Sequence, residues 1–159
     1  MAPVSSRQSM NLVLNNTVSN HLKILNQQFA TAGHIWISVA YLKNTGFNSL
    51  YAPLNAALKR GAEIEVFCGL DFCITDPDAI EHCHALFKGT QAKLYLCEIK
   101  KVNFHPKVYC FRSNKHVTVV IGSANLSKGG LETNVELSTV ELFRRIHDSR
   151  GIFQNTSKT

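Results

Sequence analysis

The sequence predicts an α/β sandwich, a mixed β-sheet flanked by helices. Three observations point there. Apolar residues make up 45% of the chain and are spread along it, strand-like and helix-like periodicities alternate up to about residue 100, and β-rich segments follow in close succession after Pro106.

The elements follow in order. From Val18 to Ala32, Val18, Leu22, Ile24, Leu25 and Phe29 recur at helical spacing, with Thr17 or Ser19 as cap and Gly33 as stop. Ile35 to Tyr41 is β-branched and aromatic, a buried strand. A helix over about Phe47 to Arg60 ends at Gly61, with Pro53 expected to delay or kink it. Ile64 to Cys68 is the next strand, followed by an acidic loop through Asp71, Asp76 and Asp78. Asp76-Pro77 opens a helix over Ala79 to Phe87, closed by Gly89. Ala92 to Cys97, Lys107 to Phe111, His116 to Ile121 and Val135 to Thr139 read as strands, and Val140 to His147 as a closing helix.

The 159 residues fit one compact domain over 1–159, with residues 1–10 and 154–159 as loose ends. No stretch resembles a secretory signal or a membrane span, and five cysteines without a CxxC pair read as reduced thiols, three of them in apolar strand-like runs. A cytoplasmic protein without membrane partners is expected, so the sequons at Asn15 and Asn125 carry no meaning. Net charge is +6, and no acid lies between Glu98 and Glu132, where Lys100, Lys101, Lys107, Arg112, Lys115 and Lys128 fall. A polyanionic partner matches that balance.

The chemistry concentrates in Phe104-His105-Pro106-Lys107, Gly122-Ser123-Ala124-Asn125 and Glu136. Residues two apart on a strand project to one side, so an imidazole and an ammonium can meet one phosphate. Small residues at Gly122 and Ser123 let Asn125 turn its amide toward a phosphoryl oxygen. Glu136 is a candidate to hold the second ring nitrogen of a histidine.

This ordered set resembles the phospholipase D superfamily, whose pattern is His-x-Lys, Gly-Ser-x-Asn and a downstream Glu or Gln. The resemblance implies a phospholipase-D-like α/β sandwich and a phosphodiesterase that uses no metal or other cofactor, with His105, Lys107, Asn125 and Glu136 catalytic and Ser123 supporting. Arg112 stands where many members carry an Asp, which favours the nuclease branch and a polyanionic substrate. Arg112 and Lys128 are therefore candidate substrate-binding residues.

In this family one histidine attacks phosphorus to form a phosphohistidine and a second, from another motif copy, protonates the leaving oxygen. One copy here implies a homodimer sharing one site. The expected function is a DNA endonuclease, the catalytic part of a restriction endonuclease whose target is read by a separate domain or subunit. Three alternatives stand beside it: a phospholipid-acting phospholipase D or phosphatidyltransferase, a non-catalytic nucleic-acid-binding module, and a magnesium-dependent PD-(D/E)xK nuclease built on Pro77-Asp78 and Glu98-Ile99-Lys100. His82-Cys83-His84 lacks zinc-ligand spacing, because adjacent helical residues diverge.

Overall fold

A computed structural model describes residues 11–15 and 19–144. Seven strands form one sheet: β1 (Asn11–Leu14), β2 (His34–Val39), β3 (Glu63–Gly69), β4 (Lys93–Cys97), β5 (Lys107–Arg112), β6 (His116–Gly122) and β7 (Leu137–Arg144). Their order across the sheet is β1-β7-β6-β5-β2-β3-β4. The β2–β3 and β3–β4 pairs are parallel, whereas β5 runs antiparallel to β2 and the remaining pairs are antiparallel. Strand-helix alternation thus gives the parallel half, and the segments after Pro106 give the antiparallel half.

Helices α1 (His21–Phe29), α2 (Asn44–Lys59) and α3 (Pro77–Phe87) supply Leu25, Phe29, Phe47, Leu50, Leu54, Ala57, Ala79, Cys83 and Phe87 to the core, packed against Ile35, Ile37, Val39, Ile64 and Val66 of the sheet. None of these helices is long and apolar enough to cross a membrane. Asn20, rather than Thr17 or Ser19, caps α1, its side chain accepting from the N–H of Lys23 at 2.9 Å. Pro53 lies inside α2 without ending it. A proline there costs ~3 kcal/mol, whereas burying Phe47, Leu50 and Leu54 contributes about 1.5–3 kcal/mol each. Gly61 and Gly89 follow α2 and α3 with φ of 82° and 75°, the left-handed stops expected of them.

Two elements differ from expectation. Val140–Arg144 is strand, not helix: β7 pairs with β6 from Gly122↔Ser138 to His116↔Arg144, and residues 145–147 lie outside the described residues. Without β7, the backbone groups of β6 on that side would be unpaired, a tertiary demand that overrides local helical preference. The short run Leu12 to Leu14 becomes part of β1, which pairs with β7 at the sheet edge. The predicted loose ends, 1–10 and 154–159, lie outside the described residues.

Candidate active site

Because β2, β5, β6 and β7 alternate in direction, the end of β2, the start of β5, the end of β6 and the start of β7 meet at one edge of the sheet. Lys107 is opposite Val39, in the same alternating row as the buried Tyr109 and Phe111. It is the last member of a core-facing row, so its stem is partly covered while its ammonium emerges at the edge. Burial pulls the Lys107 amine below its ordinary value, and the nearby Glu136 carboxylate opposes that shift.

The Lys107 ammonium lies 2.8 Å from Nδ1 and 3.0 Å from Nε2 of His105, and 3.2 Å from the His105 carbonyl. The exposed His105 ring and the Lys107 ammonium are thus in contact at the entrance to β5, where an imidazole and a cation can meet one phosphate.

The turn after β6 is built on close contacts. A Cβ at Gly122 would stand 2.2 Å from the Leu137 carbonyl and 2.2 Å from Ser138 Oγ, so only glycine lets β6 and β7 meet there. The buried Tyr109 hydroxyl donates to the Ala124 carbonyl at 3.0 Å, fixing the turn from beneath, and burial pushes that phenol far above its ordinary value. Asn125 is 5% exposed, and its Oδ1 accepts from the N–H groups of Ala40 at 3.1 Å and Tyr41 at 3.3 Å. With the carbonyl side committed, Nδ2 has no acceptor among the described residues, yet it is not a buried unpaired atom, so its hydrogens face accessible space.

Ser123 Oγ donates to the Glu136 carboxylate and accepts from the N–H of Leu137 at 3.0 Å. Among the described residues, Glu136 meets Ser123 and the field of Lys107, and the His105 ring meets Lys107. The expected contact from Glu136 to a histidine nitrogen is thus not made to His105 within this chain.

A second histidine, not anticipated from the sequence, stands behind Glu136. His21 is 1% exposed, its Nδ1 2.6 Å from Asn15 Oδ1 and its Nε2 2.7 Å from Ser138 Oγ. Asn15 Nδ2 donates to the Gly130 carbonyl at 2.9 Å, which turns Oδ1 toward His21, so Nδ1 carries the proton and Nε2 accepts from Ser138. Burial lowers the His21 basicity, and the Glu136 charge opposes this. The available sequence signal was the stripe His21, Leu25, Phe29, in which the histidine occupies a core position of α1.

Arg112 does not join this cluster. It closes the far end of β5, about 17 Å from Lys107 at ~3.3 Å per residue. There its guanidinium lies 2.8 Å from His34 Nδ1 and 5.3 Å from the centre of the Trp36 ring. Lys128 is exposed three residues after Asn125, its backbone N–H bonded to Thr45 Oγ1 at 3.3 Å. Cys83 points into the core, its thiol pushed up to about 12 by burial, while His82 turns outward to Asn44 Oδ1 at 3.0 Å. Asp78 lies in the first turn of α3, and Glu98 follows the edge strand β4. Among the described residues no three of His, Cys, Asp and Glu stand together as a metal-holding group. Two hollows, about 550 Å³ beside Phe47, Tyr51 and His82 and about 250 Å³ beside Phe111, His116 and Thr118, lie apart from the cluster.

The family model described as the phospholipase D-like domain of cardiolipin synthase matches residues 9–147. The chain belongs to the phospholipase D superfamily. No curated protein matches it. Among solved structures, NucT from Helicobacter pylori is similar at 18% identity and a TM-score of 0.61, with 85% of this chain and 86% of that one covered. Nuc of Salmonella typhimurium, a phospholipase D family member, is similar at 20% identity and a TM-score of 0.63, over 85% and 83%. Yeast tyrosyl-DNA phosphodiesterase is similar at 13% and 0.54, over 86% of this chain and 33% of that one. At these identities the likeness is one of fold, that of the superfamily's phosphodiesterases.

Proposed function

We propose that this phospholipase D superfamily chain is a metal-independent endonuclease domain that hydrolyses DNA phosphodiester bonds, the catalytic part of a restriction endonuclease whose target is read by a separate domain or subunit. The observation that carries this reading is His105 in contact with Lys107 at the sheet edge to which the Asn125 amide, without an acceptor among the described residues, also belongs. A nucleophile with two non-metal donors matches a phosphodiester and its two non-bridging oxygens.

In the proposed reaction two chains face each other across a two-fold axis and share one site. His105 of one chain attacks phosphorus, an N–P bond forms and the P–O bond to the leaving nucleotide breaks. The imidazolium of the second His105 gives its proton to the leaving oxygen. Water then attacks the phosphohistidine, the second imidazole takes the water proton, and the N–P bond breaks. Lys107 and Asn125 neutralise the phosphoryl oxygens throughout. Glu136, held by Ser123, keeps Lys107 cationic against burial.

Plasmid DNA incubated with the purified chain in EDTA tests this. Cleavage is expected and is lost by ~10³-fold or more in His105→Ala, and strict magnesium dependence sinks the reading. A monomer with full activity sinks the shared site. The description of the matched family gives a lipid reading its claim to a test: hydrolysis of phospholipid vesicles without DNA cleavage would establish it instead. DNA binding with no cleavage in any buffer would leave a binding module.

A further inference from the structure

The non-glycine residues with positive φ among the described residues are Phe72 (60°), Cys73 (53°) and Lys101 (65°). All three lie in two loops beside the segment that delivers His105. Side-chain-bearing residues occupy this backbone region at a cost, and it persists only where surrounding bonds hold it.

Those bonds are specific. Asp71 accepts the Phe104 N–H at 2.7 Å, so the residue before Phe72 is tied to the residue before His105. The Leu70 N–H donates to the Cys97 carbonyl at 3.1 Å, joining the ends of β3 and β4. Thr75 Oγ1 donates to the Gly69 carbonyl at 2.7 Å and accepts the Leu42 N–H at 3.2 Å, closing the loop at its base. On this braced loop Phe72 is 69% exposed, so its ring is not held there by core packing. Lys100 and Lys101, both exposed, occupy the neighbouring turn between Ile99 and Val102.

We infer that Phe72 is a base-stacking platform, which receives a nucleobase unstacked from the DNA strand whose phosphate lies at His105, while Lys100 and Lys101 meet the flanking backbone. This rests on the nucleic-acid reading above. A phosphodiester site leaves the neighbouring aromatic facing whatever the phosphate carries. A nucleobase has a planar apolar face to match a ring, and that face is free only when the base is unstacked and unpaired. The adjacent lysines sit in the stretch of sequence without acids, the charge complement of a polyanionic strand.

The test measures binding in a His105→Ala background, by fluorescence anisotropy of a labelled single-stranded oligonucleotide at fixed salt. Phe72→Ala is expected to weaken binding about 5- to 150-fold, the ~1–3 kcal/mol of one base–aromatic stack, and Phe72→Trp to keep it within about threefold. On a uniformly abasic strand Phe72→Ala is expected to change binding less than about twofold. Phe72→Gly separates stacking from folding: glycine relieves the left-handed backbone, so this variant is expected to melt a few degrees higher while binding as weakly as Phe72→Ala. Equal losses on normal and abasic strands, or no loss on either, overturn the inference. So does Phe72→Ala abolishing binding to anionic phospholipid vesicles while leaving DNA binding intact. Absence of DNA cleavage in EDTA by the parent chain would sink the hydrolase reading alone, because the binding arms do not depend on turnover.

Discussion

Replacing Asn125 with alanine or with aspartate separates its two jobs. Its Oδ1 is the acceptor for the Ala40 and Tyr41 N–H groups, and alanine orphans both. The Ala40 group is buried, so leaving it unpaired costs about 1–3 kcal/mol; the Tyr41 group is only part-buried and costs about 1 kcal/mol or less. The sum, about 1–4 kcal/mol, corresponds to a fall of about 2–16 °C in melting temperature for a chain of this size. Aspartate keeps an oxygen for both N–H groups and nearly the same volume, so its stability is expected within about 1 kcal/mol of the parent. It replaces the outward amide donor with a carboxylate, however, and presents negative charge to a phosphate. The expected loss in magnesium-free DNA cleavage is about 10²-fold or more. Thermal melts and plasmid cleavage on the two variants decide the matter. Asn125→Asp cutting at the parental rate would refute the donor role, and Asn125→Ala melting with the parent would refute the anchoring role.

Three further outcomes follow from the same geometry. His21 is held below its ordinary value of 6.5, so the unfolded chain takes up its proton at a higher pH than the folded one. Stability is then lost as pH falls from 6.5 toward the lower folded value, by up to about 1.4 kcal/mol per pH unit; melts from pH 7.5 to 5 should show this slope in the parent and a flatter one in His21→Gln. Gly122→Ala forces a methyl to within 2.2 Å of Leu137 O and Ser138 Oγ, and should cost about 1–3 kcal/mol in urea unfolding while depressing cleavage through displacement of Ser123 and Glu136. Arg112→Ala, remote from the cluster, should leave kcat/KM within about twofold and stability within about 1 kcal/mol; a tenfold loss in kcat/KM would return Arg112 to the substrate path.

Much of the fold was legible because its core elements have strong local signatures. The β-branched and aromatic run Ile35 to Tyr41 gave β2, which ends sooner, at Val39, the run Ile64 to Cys68 lies within its parallel neighbour β3, and the Asp76-Pro77 start and the Gly61 and Gly89 stops fell where turn chemistry put them. Asp76 itself shows how a correct boundary can rest on a different bond: its carboxylate pairs with Lys43 at 2.8 Å and accepts the Asn44 N–H at 3.0 Å, and it makes no cap hydrogen bond within α3. What the sequence hid was decided by partners far along the chain. Val140 to Arg144 carries no local mark that β6 needs a neighbour, and Leu12 to Leu14 is too short to signal a strand until β7 offers it an edge.

The site divides the same way. His105 and Lys107 are two residues apart, His105 just before β5 and Lys107 its first residue, and their contact at 2.8 Å follows from spacing that can be read directly. Asn125 and Ser123 are tied to residues 85 and 13 positions away, and only the strand order makes those ties. Arg112 stands apart from the cluster for the complementary reason: five residues along a strand keep a side chain near in sequence while carrying it to the opposite end of the sheet. The chain from Asn15 through His21 to Ser138 joins the residue that follows β1, helix α1 and β7 beside Glu136, with no spacing rule to announce it. It also changes what holds Glu136. The carboxylate is fixed by Ser123 in front, while behind it β7 is pinned at Ser138 by a buried neutral imidazole. A defect in that hidden layer should therefore reach Glu136 by moving the start of β7, whereas a defect at Ser123 should reach it by freeing the carboxylate alone.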